Sequence, residues 1–196
     1  MSDKYGVSQD PDCYPNSSVL INKLNIRDAQ ELEAVEAELT QLRTESFEPD
    51  FDKFDLAVLA RIHRHLFQDV YPWAGQLRMV DISKSTTRFC SAQYIQKEAD
   101  RLLARLQCEQ WLEGRALPEF VAKIADYYCE LNMIHPFREG NGRTQRLFFE
   151  AIALNAGYEV DWSQVNRDEW LDANIRGYFA DLAPLQVIFA RIISSL

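Results

Sequence analysis

The sequence lacks any run of about 20 apolar residues, the length that a membrane-spanning helix requires. Met1 to Asp10 also lack the apolar stretch of a secretory leader. Both absences point to a cytoplasmic protein with no membrane partner. Paired cysteines are missing too. Cys13, Cys90, Cys108 and Cys129 are far apart, with no Cys-x-x-Cys and no Cys/His cluster. That excludes a zinc module and a disulfide framework and leaves free, mostly buried thiols. Cations are in deficit: 21 Lys and Arg stand against 30 Asp and Glu, a formal charge of −9. A surface that neutralises a phosphodiester backbone needs clustered cations in excess, so direct nucleic-acid binding is disfavoured. Repeats and low-complexity tracts are absent. What is present is a chain of 196 residues, long enough for one core and one domain.

Apolar residues recur at spacings of three and four through most of the chain, the mark of amphipathic helices. Residues 1–18 are polar and turn-rich and read as an irregular lead-in. Asp28 with Glu31 opens a helix carrying Leu32, Val35, Leu39 and Leu42. The acids Glu31, Glu33, Glu36 and Glu38 that interleave with this stripe read as a solvated face. Asp52 is placed to cap a helix with Leu59, Ile62, Leu66 and Phe67, stopped by Tyr71-Pro72. Between 78 and 90 the pattern becomes Met79-Val80-Asp81-Ile82, a polar stretch, then Arg88-Phe89, which predicts a short flap hairpin and the only β-structure.

Ser91 is placed to open the next helix, and Pro118 suits the first turn of another that Pro136 must end. A further helix follows from about Gly142 to Gly157. Two more open at Asn166 and at Asp181. The expected fold class is all-α, a helical bundle with one hairpin. His63 and His65 form a His-x-His pair, but at helical spacing they point to different faces, which disfavours a metal site. Trp111, Phe120, Tyr127 and Tyr128 read as core.

The chemistry gathers in residues 135–146, His135-Pro136-Phe137-Arg138-Glu139-Gly140-Asn141-Gly142-Arg143-Thr144-Gln145-Arg146. Gly140-Asn141-Gly142 falls between two helices, so the unpaired N–H groups and positive dipole end of the second face the loop. Glycines let such a backbone curl round an anion. Arg143 and Arg146 are three apart on the first turn and can fork onto one phosphate chain, with Arg138 adding to the cationic cluster. Glu139 offers the hard oxygen that Mg²⁺ takes alongside substrate phosphates. His135 has a side chain whose ordinary pKa of about 6.5 suits proton abstraction. Singly, each has a plainer account: a helix-end His packs, Gly-Asn-Gly turns the chain, and two Arg lie in solvent. A structural turn needs no His, Glu and two Arg at fixed offsets, so together they point to a nucleotide triphosphate.

This run resembles the signature of the Fic family, His-Pro-Phe-x-(Asp/Glu)-Gly-Asn-Gly-Arg-x-x-Arg, and meets all nine specified positions. Supporting similarities are Ile62-His63 with Leu66-Phe67, Tyr71-x-Trp73-Ala74-Gly75-x-x-Arg78, Lys84 and Phe89 in the flap, and Trp170, Ala173 and Leu185. Asp10-Pro11, Tyr14-Pro15 and the length are similar to small stand-alone bacterial Fic toxins.

The resemblance implies the Fic fold and a protein adenylyltransferase that moves AMP from ATP to a Tyr, Ser or Thr hydroxyl of a target protein. It implies His135 as the base and Glu139 as the Mg²⁺ ligand. Gly140, Asn141 and Gly142 would form the anion hole, Arg143 and Arg146 would take the outer phosphates, and Lys84 and Ser85 would lie on the nucleotide. The flap residues Met79, Val80, Asp81, Ile82 and Phe89 would dock an extended target segment. Many relatives carry an inhibitory (Ser/Thr)-x-x-x-Glu-(Gly/Asn) segment whose Glu pairs with the residue equivalent to Arg146. Thr44 to Pro49 comes nearest and is broken by Pro49. The resemblance therefore implies a separate small antitoxin that supplies this Glu. The implied targets are type II topoisomerase subunits such as gyrase B or a topoisomerase IV subunit. Transfer of another phosphate-containing group and a non-catalytic nucleotide-binding module remain as alternatives.

Overall fold

The computed structural model describes residues 10–49, 53–84 and 87–196. Seven α-helices account for most of them: α1 Ala29–Glu45, α2 Leu56–Phe67, α3 Ile95–Cys108, α4 Leu117–Ile134, α5 Asn141–Asn155, α6 Arg167–Tyr178 and α7 Ala183–Ile192. Their starts follow local chemistry. Asp28 accepts from the N–H groups of Gln30 and Glu31, and Asn166 accepts from those of Asp168 and Glu169. Asp55 caps α2 by accepting from Val58 N; Asp52, expected in that role, lies outside the described residues. Pro118 occupies the first turn of α4, where its missing N–H removes no bond. Ser91 makes no side-chain cap; the turn after it is held by Asp81 of the flap, whose Oδ1 accepts from Ala92 N at 2.6 Å.

The central helix α4 packs against α3, α5 and α7, while α2 bridges α1 and α5. Phe120, Tyr128, Phe148, Phe149, Ile152 and Phe189 are buried among them. This layering places the α4–α5 connection, the motif loop, beside the end of α2. No helix among the described residues is long and apolar enough to cross a membrane. Cys13 and Cys129 are buried, Cys90 is half-buried and Cys108 is exposed, all as free thiols.

Three expectations are corrected. The hairpin, β1 Ser83–Lys84 with β2 Thr87–Arg88, is shorter than 78–90 and is not alone. A second antiparallel pair joins β3 Tyr158–Val160 to β4 Ile193–Ser195, with Glu159 opposite Ser194. Three-residue strands show no alternation to read, and their partners are more than thirty residues apart. The lead-in is part of the fold from Asp10 onward: Asp10, Cys13, Tyr14, Val19 and Leu20 are buried, and Cys13 bridges to Leu20. Finally, α1 buries Leu32, Glu36 and Thr40, while Leu42 is exposed. Glu36 belongs to the interior and not to the solvated face, because polar partners wait for it there.

Candidate active site

The loop begins where α4 ends. His135 takes the left-handed conformation, φ 49° and ψ 63°, a state that costs a non-glycine residue roughly 1 kcal/mol and stops the helix before Pro136 needs to. Its ring Nδ1 lies 3.0 Å from the Asn132 carbonyl. A carbonyl only accepts, so Nδ1 carries the proton and Nε2 keeps the lone pair. Phe89 of the flap stacks on the ring at 3.8 Å between centroids. Burial, aided by the charges of Arg78 and Lys84, pushes the His135 pKa down to about 4 against the opposing pull of Asn132 and Glu139. At neutral pH the imidazole is therefore uncharged and can accept a proton.

Glu139 is half-buried, and its Oε1 accepts from Gly140 N at 2.9 Å. Its backbone is pinned from below by His63. His63 Nδ1 accepts from Gly75 N at 2.8 Å, which leaves Nε2–H to donate to the Glu139 carbonyl at 3.0 Å. The fully buried ring stacks on Phe137 at 4.0 Å, and burial first of all drives its pKa down to about 4. His65 faces elsewhere, with Nε2 2.8 Å from Arg43 O, so the pair shares no metal.

Asn141 clasps the loop: its Oδ1 accepts from Phe137 N at 2.8 Å and its Nδ2 donates to Phe137 O at 2.7 Å. With the side chain committed in this way, only the backbone N–H of Asn141 is left to face an anion. Gly140 adopts φ +78° and offers no side-chain cap, so the first N–H groups of α5 are left for an outside acceptor. A Cβ on Gly140 would stand 2.2 Å from Phe67 Cζ. Gly140→Ala is accordingly expected to destabilise the fold by at least about 2 kcal/mol, from left-handed strain plus overpacking. A urea midpoint within error of the wild type would contradict that.

The three motif arginines separate into different roles. Arg138 is 2% exposed and pairs with Asp10, 1% exposed, with Nε 2.6 Å from Oδ2. It is a buried lock on the lead-in and leaves the cationic cluster in which the sequence placed it. Arg143 lies over the Phe67 ring, donates from Nη1 to Thr40 Oγ1 at 3.0 Å and pairs through Nη2 with Glu36, which also accepts from the Tyr71 hydroxyl. Burial, with the Glu36 charge next, raises the Tyr71 pKa, so the phenol stays a donor. Arg146 is half-buried and forms no ion pair with a described residue. Its Nη1 would be 3.9 Å from a Cβ on Gly142, which brings the guanidinium back over the start of α5.

The flap residues diverge. Met79 is 86% exposed, Ile82 is buried, Asp81 holds the turn after the flap, Val80 is half-buried and Phe89 covers His135. Ile82, Asp81 and Phe89 thus have internal tasks. Lys84 is exposed at the hairpin edge; Ser85 lies outside the described residues. No group of three or more metal-ligating side chains occurs among the described residues. Glu139 as a single carboxylate next to an anion site suits a cation completed by substrate phosphates and water, the habit of Mg²⁺.

The Fic/DOC family model matches residues 53–153. The probable protein adenylyltransferase Fic of Escherichia coli (strain K12) is 44% identical over 194 residues, which cover 99% of this chain and 97% of that protein. Protein adenylyltransferase VbhT of Bartonella schoenbuchensis is 40% identical over 192 residues, 96% of this chain and 40% of VbhT. The BepC protein of Bartonella tribocorum, solved with bound AMPPNP, matches at a TM-score of 0.91 and 28% identity, covering 94% of this chain and 97% of that one. With a glycine loop at a helix start, a neutral histidine beside it and these relatives in view, the chain belongs to the Fic/DOC family and is an enzyme of its protein adenylyltransferase class.

Proposed function

We propose that the chain transfers AMP from ATP to a Tyr, Ser or Thr hydroxyl of a target protein. On this reading it is a bacterial toxin acting on a type II topoisomerase subunit such as gyrase B and restrained by a separate antitoxin. The observation that carries the transfer is the neutral His135, whose Nε2 lone pair stands at the same loop as the uncapped start of α5 and the Arg146 guanidinium. AMPPNP bound in the similar BepC protein supports ATP as the nucleotide.

In the step, the target hydroxyl oxygen forms a bond to the α-phosphorus and its proton goes to His135 Nε2. The bond from the α-phosphorus to the bridging oxygen breaks, and pyrophosphate leaves with the electron pair. The backbone N–H groups of Asn141 and Gly142 stabilise the charge that develops on the α-phosphoryl oxygens, while that of Gly140 holds Glu139. Arg146 takes the outer phosphates. Arg143, already balanced by Glu36, anchors α1 to the motif helix. Glu139 would hold Mg²⁺, which supplies positive charge against the phosphates. An exposed Lys84 closes over the nucleotide from the flap.

Arg146, with no ion pair to a described residue, is the place where an antitoxin carboxylate would compete with ATP. The test is incubation with α-labelled ATP, Mg²⁺ and gyrase B, followed by mass spectrometry of the target. An added AMP supports the proposal; an added phosphate, or bound nucleotide with no covalent label, overturns it. Glu139→Ala should raise the Mg²⁺ concentration for half-maximal transfer by at least about tenfold, the loss that even an outer-shell partner's removal brings. An unchanged requirement would remove Glu139 from that role.

A further inference from the structure

Arg78 lies outside the twelve-residue motif, yet its side chain reaches both the motif and the flap. Arg78 is 3% exposed. Nε donates to His135 O at 2.8 Å, Nη1 to Val80 O at 2.6 Å, and Nη2 to Ile134 O at 3.2 Å and to Cys90 O. Its backbone N–H donates to Pro136 O at 3.0 Å. Ile134 and His135 close α4, where leftover carbonyls and the negative dipole end favour a cation. Val80 and Cys90 are the two stems of the flap.

Two further contacts run in the same direction. Cys90 N donates to Met133 O at 3.0 Å, and the Phe89 ring lies on His135. One planar fork therefore holds the backbone of the base and both flap stems in a single frame, which a compact ammonium on a flexible stem cannot reproduce.

We propose, on the adenylyl-transfer reading above, that Arg78 is a positioning residue that registers the flap against His135, so that a hydroxyl carried along the flap arrives at Nε2. The registration is a property of the protein before any nucleotide or target is bound, so it has a readout apart from activity. His135 ring protons, stacked on Phe89 at 3.8 Å, are expected upfield in the wild type through the ring current.

The experiment compares wild type, Arg78→Lys and Arg78→Gln by side-chain NMR of the histidines, by calorimetric ATP binding and by steady-state transfer to the target. In whichever variant folds, the His135 upfield shift should be lost while His63 signals and ATP affinity are kept. The kcat for target modification should fall about 10–100-fold, the effect of misplacing a reacting group by about 1 Å, with KM for ATP unchanged. Retention of the His135 shift, or a kcat that falls only with the folded fraction, would overturn the proposal. Failure of both variants to fold would overturn it as well, by assigning Arg78 to stability alone. Loss of the shift in a chain whose wild type transfers no AMP would sink the adenylyl-transfer reading and still support the registration.

Discussion

His135→Ala is expected to lower AMP transfer by about 10²–10⁴-fold, the usual worth of a positioned general base, while ATP still binds. The reason lies in the tautomer: Asn132 holds the proton on Nδ1 at 3.0 Å, so Nε2 alone can take the hydroxyl proton. On the proposed reading ATP is held by the start of α5 and by Arg146, which the substitution does not touch. Because burial depresses the His135 pKa to about 4, the base is already in its active form across the physiological range. The kcat/KM for ATP should then be flat from pH 5 to 8 and fall only as pH drops through about 4, where protonation removes the lone pair. An acid limb near 6.5, or transfer retained in the variant, would remove His135 from the role of base.

Asp10→Asn is expected to destabilise the protein by about 3–5 kcal/mol, the range for removing one partner of a buried ion pair. Asp10 and Arg138 are both nearly sealed from solvent, so the guanidinium that loses its counter-charge cannot turn to water in place. Arg138→Met together with Asp10→Leu should recover much of the loss, since apolar replacement of a whole buried pair is often close to neutral. Urea unfolding of the two variants decides it. A single variant within about 1 kcal/mol of wild type would show that the pair is worth no more than a surface bridge. Arg138 sits between Phe137 and Glu139, so the single variant should also lose activity through a loosened loop.

The elements read correctly from sequence were those specified by near neighbours. Capping by Asp28 and Asn166, the periodicity of α2 and α4, and the glycine pair at the start of α5 all act within a few residues. The Fic signature named the loop outright. What escaped was built across the chain. Glu36 looked like one acid in a solvated row, and only the arrival of Tyr71 and Arg143 on its face explains its burial. Nothing in one sequence links residue 36 to residue 143. His63 and Arg78 were visible as parts of the family pattern, but their tasks are backbone contacts, which side-chain identity does not reveal. Asn141 reads from sequence as part of the backbone nest, with no hint of its side-chain task, which is to close the loop on Phe137. The β3–β4 pair, like the buried lead-in, depends on partners far along the chain.

The bond between Asp10 and Arg138 also sets a time. Its ends are 128 residues apart, so at a synthesis rate of 5–20 residues per second Arg138 is made roughly 6–26 s after Asp10. Until then Asp10 lacks its partner and the motif does not exist. A nascent chain of this enzyme therefore spends most of its synthesis without a catalytic loop, and the ion pair that locks the finished site can form only late in the making of the chain.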